Sequence, residues 1–174
     1  GMDRVFDILD VQPEIANAPG AKPLQLTEGR ITFDDVHFSY LDDQPVIEGI
    51  TLDVAPGQAV AIVGRSGGGK STLVKLVPRF YDVKSGAIRI DGQDIRDVTL
   101  HSLREKIGMV MQDAILFGGS VRENILYGRR GATEDEMLEA ARMAHVDEFV
   151  DELPKGYDTP VAEAGGGLSG ASNT

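Results

Sequence analysis

The apolar run AVAIV, residues 59–63, leads directly into GRSGGGKST, Gly64 to Thr72. Four glycines fall within the six residues 64–69, where glycine averages about 7% of a chain. Glycine takes left-handed backbone angles at no steric cost, so successive amides can point into one concavity. Gly64, Gly69, Lys70 and Ser71 satisfy the spacing G-x-x-x-x-G-K-[ST] of a phosphate-binding loop. Lys70 then supplies a compact cation for the β- and γ-phosphates, and Ser71 a hydroxyl for Mg²⁺. A helix beginning at the end of the loop adds its positive dipole end. The alternative is a flexible glycine turn. It is the weaker reading, because an apolar strand pattern leads in and a helical pattern, TLVKLV, leads out.

A strand–loop–helix unit of this kind belongs to an α/β fold. Ile31 and Phe33, then Val36, Phe38 and Tyr40, alternate in two sets whose phase slips at Asp34-Asp35, as in a strand with a bulge. Further strands are predicted over Val46 to Val54, Gln58 to Val63 and Ala87 to Asp91. The one at 58–63, continuously apolar, is expected to be a buried parallel strand. A helix is predicted from the glycine loop through Leu76, a short one over Thr99 to Lys106, and a buried strand over Ile107 to Met111 leading into Gln112. Ser120 with Glu123 and Thr133 with Glu136 fit capping boxes that open two helices, with Leu138, Ala141, Met143 and Val146 as apolar positions of the second. At the start, Met2, Val5, Phe6 and Leu9 form one stripe of an amphipathic helix. Pro13, Pro19, Gly20 and Pro23 make 11–28 an extended linker.

With 174 residues the chain suits one domain with a sizeable core. Its net charge of −11 argues against a nucleic-acid surface, which needs clustered lysine and arginine. That charge does not exclude a nucleotide, since remote charges are screened over about 8 Å at physiological salt. Cysteine is absent, which removes disulfides and thiolate metal sites. The start has no secretory-signal order, and the apolar run before the glycine loop is far shorter than a membrane span. His37, His101 and His145 lack zinc or triad spacing. Asp91 and Asp113 follow apolar runs as a magnesium carboxylate would, but Arg89 and Gln112 spoil the pattern. Arg79, Phe80 and Tyr81 read as core and surface fill.

The order of motifs resembles the nucleotide-binding domain of an ATP-binding cassette (ABC) exporter along nearly the whole chain. RVFDILDVQPEI is similar to the segment leaving the last transmembrane helix, and ITFDDVHFSY to the strand ending in an adenine-stacking aromatic. GRSGGGKST resembles the phosphate loop, IGMVMQDAILFGGSVRENI the glutamine loop with the start of the helical subdomain, and LPKGYDTPVAEAGGGLSG the approach to the signature motif. The resemblance implies a P-loop NTPase-like core with an antiparallel β subdomain and a helical subdomain. Residues 1–28 would be helix and linker following a transmembrane domain. Residues 29–112 would form the ATP-binding core and β subdomain, and 113–174 the helical subdomain.

It implies ATP and Mg²⁺ as cofactors. Gly64, Arg65, Ser66, Gly67, Gly68, Gly69, Lys70, Ser71 and Thr72 would hold the phosphates, and Tyr40 would stack on the base. Gln112 would couple Mg²⁺ and the attacking water to the helical subdomain, with Ser71 as its fellow metal ligand. Leu168, Ser169 and Gly170 would serve the opposite subunit's nucleotide. The implied partners are a transmembrane domain of the same parent chain and a second nucleotide-binding domain, identical or different. The implied location is the cytoplasmic face of the cell membrane, with the present chain itself soluble.

Departures from the family pattern shape one further expectation. Where the family reads LSGGQ, this chain has Leu168, Ser169, Gly170, Ala171 and Ser172, and Ala164 stands where arginine is usual. The family's Asp for Mg²⁺, its water-polarising Glu and its later histidine have no counterpart among the 174 residues. The strands carrying them would lie beside the phosphate-loop strand. The parent is therefore expected to be an ATPase that drives export. This chain alone is expected to bind ATP but to hydrolyse it poorly or not at all, since phosphoryl transfer depends on such positioning groups. The alternative is a nucleotide-binding or interaction fragment without turnover. A GTPase is disfavoured because no N/T-K-x-D segment occurs, and a small-molecule kinase leaves QDAILFGGSVRENI unexplained.

Overall fold

Strand pairing in the computed structural model, which describes residues 15–111, 115–129 and 131–161, follows the sequence alternation wherever a neighbouring strand exists. The chain divides into two compact units, Gly1–Gly108 and Met109–Thr174. In the first, β1 (Ile31–Leu41), β2 (Gln44–Val54), β3 (Ser85–Ile90) and β4 (Gln93–Asp94) form one sheet in the order β2-β1-β3-β4. Every pairing in it is antiparallel. The register of β1 shifts between Phe33 and Val36, and Asp35 adopts φ 44° there. An odd spacing would send Phe33 and Val36 to opposite faces; the bulge returns them to one. Phe33, Val36 and Phe38 are all buried as a result.

Helix α1 (Lys70–Leu76) contributes Leu73 and Leu76 to that core, three residues apart on one helical face. Each buried leucine contributes about 1.5–3 kcal/mol. Helix α2 (Leu100–Glu105), bounded by Thr99 and Lys106 as predicted, adds Leu103.

Two expected strands are absent. Residues 58–65 and 107–111 belong to no ladder, and Val63 is 88% exposed and Val110 fully exposed. A strand exists only through pairing with a neighbour, and no described strand runs beside either segment. Apolar composition alone does not create one.

The segment read as a linker is fastened down along its described part. The Leu100 amide donates to Asn17 Oδ1 at 2.8 Å, and the Leu24 amide to Ser102 Oγ at 2.8 Å. Lys22 bridges to Val98, and Gln93 exchanges two hydrogen bonds with the main chain of Gln25. Asp91 accepts from the amides of Thr27, Glu28, Gly29 and Arg30 at 2.7–3.1 Å. These amides, those of Thr27 and Gly29 foremost, hold the Asp91 carboxyl well below the usual carboxylate range. The predicted helix over Met2 to Leu9 lies outside the described residues.

In the second unit both capping boxes form. Ser120 and Glu123 open α3 (Val121–Tyr127), and Thr133 and Glu136 open α4 (Glu134–Met143). The Thr133 amide is the main reason the Glu136 carboxyl titrates low. Met137 and Ala141, one helical turn apart, are the buried positions of α4, whereas Met143 is 80% exposed. The apolar stripe was therefore misassigned at Met143, where the helix ends. His145, at φ 55°, separates it from α5 (Val146–Val150). Two short strands, β5 (Gly119–Ser120) and β6 (Pro160–Val161), pair beside them, and Val121, Val150 and Val161 make a small core. Arg122 ties this unit together by donating to Asp158 at 2.8 Å and to Glu134.

Candidate nucleotide site

The glycine loop turns directly into a helix. Ser66 and Gly67 make a turn, Gly69 sits at φ 79° as the cap of α1, and the helix starts at Lys70. A Cβ on Gly69 would stand 2.8 Å from Ile47 Cδ1 and 2.9 Å from the Val46 carbonyl oxygen. Both the backbone angle and the approach of β2 therefore require glycine there. Lys70 Nζ donates to the carbonyls of Gly64 at 2.9 Å and Arg65 at 2.6 Å. Its ammonium is thus folded back onto the carbonyls at the entry to the loop. Arg65, Ser66, Gly67, Gly68 and Ser71 are exposed, while Gly69 and Thr72 are buried.

Tyr40, at the end of β1, is brought to the same place. Its hydroxyl lies 3.1 Å from Thr72 Oγ1, in the first turn of α1. The residue is 48% exposed, and its ring stands nearly perpendicular to two neighbours, Phe38 at 4.9 Å and 86° and Tyr81 at 5.1 Å and 89°. A cleft of about 330 Å³ opens on the Tyr81 side and is lined by Ile15, Phe38, Ser39, Tyr40, Val83 and Lys84 among others. Lys84 is paired with Asp42 at 2.7 Å, and this hydrogen bond lowers the Asp42 carboxyl below its ordinary value.

Sequence reasoning missed Tyr81, because a single aromatic between helix and strand carries no periodic signal. Arg79, also read as fill, is buried and donates to both carboxylate oxygens of Asp82, at 2.6 and 3.0 Å. Arg104 in turn donates to the carbonyls of Pro78 and Arg79, just past the end of α1.

The residues fit a polyphosphate: amide-rich turn, left-handed Gly69 and a lysine at the entry to the loop. For Mg²⁺ the described part offers the exposed hydroxyl of Ser71. Gln112 and Asp113, and Leu168, Ser169 and Gly170, lie outside the described residues. Among the described residues, no three His, Asp or Glu side chains gather round a common point. Asp91 is committed to four backbone amides.

A family model described as ABC transporter matches residues 47–173. The chain is 52% identical over 167 residues to a protein of Staphylococcus aureus strain NCTC 8325 / PS 47, provisionally named a multidrug export ATP-binding/permease protein. That match covers 95% of this chain and 29% of the relative. The protein of the same name from the bovine strain RF122 / ET3-1 is 51% identical over the same span. Among solved structures, a bacterial Atm1-family ABC exporter with ATP bound superposes with a TM-score of 0.91 at 46% identity. It covers 97% of this chain and 30% of its own. The chain thus spans less than a third of the length of these relatives.

Proposed function

The chain belongs to the ABC transporter family, and from that premise we propose that it is the ATP-binding part of an exporter, holding the triphosphate on residues 64–72 and the base on Tyr40. The observation that carries this reading is the convergence of two sequence-distant elements. The end of β1 meets the first turn of α1 through the Tyr40–Thr72 hydrogen bond, so one ring and one amide-rich loop share a site. Bound ATP supplies a polyanionic tail, with Mg²⁺ when present drawing charge from its oxygens.

The chain's own part is to bind and orient. Amides of the glycine turn donate to phosphate oxygens. Lys70 would exchange its two carbonyl partners for phosphate, Ser71 would offer its hydroxyl to Mg²⁺, and Gln112 is the residue proposed to couple that metal to the helical subdomain. Leu168, Ser169 and Gly170 would serve a nucleotide on a second nucleotide-binding domain.

The longer relatives are named as ATP-binding/permease proteins, which supports a transmembrane domain in the same chain here. By that analogy the intact protein exports across a membrane from its cytoplasmic face. Among the described residues no helix is long and apolar enough to cross a membrane. The run 59–63 is exposed and has no strand neighbour among the described residues, which supports the view that the neighbours and the carboxylates for Mg²⁺ and water are not among the described residues. On that view these residues bind ATP and turn it over little.

Calorimetric titration with Mg-ATP tests the binding. A saturable signal is expected, weakened at least about tenfold in Lys70→Ala, because a hydrogen bond to a charged group contributes roughly 1.5–3 kcal/mol. Absence of heat with folded protein overturns the proposal. A phosphate-release assay tests turnover: matched near-zero rates for the chain and Lys70→Ala support it, and a robust Lys70-dependent rate refutes that part.

A further inference from the structure

The proposed base platform leaves open what keeps Tyr40 in place, and three independent contacts converge on that ring. Its edges and faces meet Phe38 and Tyr81 at nearly right angles, while Phe38 and Tyr81 touch each other at 5.6 Å between centroids. The third contact is the hydrogen bond from the ring's far end to Thr72 Oγ1. Phe38 is 4% exposed and belongs to the core, so it is a fixed wall. Tyr81 packs against that core only in part and follows the end of α1. Its ring centroid lies 5.1 Å from that of Tyr40, so it is placed to hold that ring.

Perpendicular aromatic pairs at 4.5–7 Å are favoured over a free ring, and a ring at the end of a strand otherwise rotates about χ1. We infer that Tyr81 is a positioning residue for nucleotide binding: with the Thr72 hydroxyl it locks the Tyr40 ring in the one orientation that presents an open face to a purine base. This rests on the base-on-Tyr40 reading above and adds a residue that reading does not contain. Tyr81 lines the same cleft as Tyr40, and on this inference it acts through the Tyr40 ring rather than on the base. The locked ring loses little rotational freedom when a flat base lands on it, so pre-organisation appears as affinity for base-bearing ligands alone.

The test compares two probes, Mg-ATP and Mg-tripolyphosphate, titrated calorimetrically into the chain and its variants. The ratio of their affinities isolates the base from the phosphate tail. Tyr81→Leu is expected to lower that ratio about 2–10-fold and to leave tripolyphosphate affinity unchanged. Tyr81→Phe, which keeps the ring, should restore it. Tyr40→Phe, which keeps the platform but loses the Thr72 hydrogen bond, should lower the ratio about two- to fivefold. In a Tyr40→Ala background, Tyr81→Leu should have no further effect.

If Tyr40→Ala lowers the ratio but Tyr81→Leu does not, the positioning role is overturned while the base reading stands. A Tyr81→Leu effect that persists in the Tyr40→Ala background also overturns it, because Tyr81 would then touch the base directly. If Tyr40→Ala itself leaves the ratio unchanged, the base reading fails first and takes the inference with it. Equal loss for both probes in Tyr81→Leu marks a structural role and rejects the proposal.

Discussion

Strand β1 and the run 59–63 are both apolar segments of the same unit, and the structure treats them in opposite ways. β1 has β2 on one side and β3 on the other, so its backbone groups have ladder partners and its core face is sealed. The run AVAIV has no ladder at all, and Val60, Ile62 and Val63 face solvent. The contrast between Val36 at 0% exposure and Val63 at 88% is therefore a contrast of neighbours, not of residue type. Strand propensity measures how well a side chain fits a pleated, half-buried surface. Where no such surface is assembled, β-branched residues remain outside regular structure.

The sharpest way to break this comparison is to place the same charge in both segments. Val36→Asp should destabilise the chain by about 4 kcal/mol or more, since it buries an unpaired carboxylate, and urea denaturation would read it as a lower midpoint. The same change at Val63 belongs at the other end of the scale, within about 0.5 kcal/mol of the parent, as for a surface site. A Val63→Asp midpoint as low as that of Val36→Asp would mean that the run is packed after all.

Between those extremes lies the joint where the two regions touch. Gly69→Ala should cost about 1–3 kcal/mol, combining left-handed strain with a clash against Ile47 and the Val46 carbonyl of β2. It should also weaken Mg-ATP binding. Unchanged stability would show that β2 yields easily, and that the loop's position does not depend on the sheet.

A gentler probe uses pH on the fastening of 27–30 to β3. Asp91, held below the ordinary carboxylate value by backbone amides, that of Thr27 foremost, binds its proton less readily in the folded chain than in the unfolded one. Its contribution is complete above the unfolded value, about 4, and is lost as pH falls from there. Denaturation midpoints of the parent should therefore drop toward acid more steeply than those of Asp91→Asn, which should start lower at neutral pH. Parallel curves would show that the clasp carries no proton-linked stability.

Much of the site was legible from residues alone, for definite reasons. The glycine loop stands out in the sequence because the chemistry proposed for it is local: amides, lysine and hydroxyl lie within nine consecutive residues. The bulge in β1 was visible as a phase slip at Asp34-Asp35, and both capping boxes as three-residue spacings, since each is a short-range hydrogen-bond pattern. Tyr81 and the Arg79–Asp82 pair carried no such pattern. Met143 falls off the buried face because it is only two residues after Ala141, and Val146 belongs to the next helix, beyond the break at His145. The described stretch of the proline-rich linker proved to be bonded to 91–102, a contact between segments some 60–80 residues apart that composition cannot encode.

The sequence by itself determined where the chain turns, where its helices begin and which residues could cradle a phosphate. Those features depend on backbone angles and on hydrogen bonds spanning a few positions. Only the tertiary structure decided which apolar runs become strands, and which aromatic neighbours hold Tyr40 against Thr72. Ladder pairing and ring packing are made between distant segments, and their strength belongs to the pair rather than to either partner.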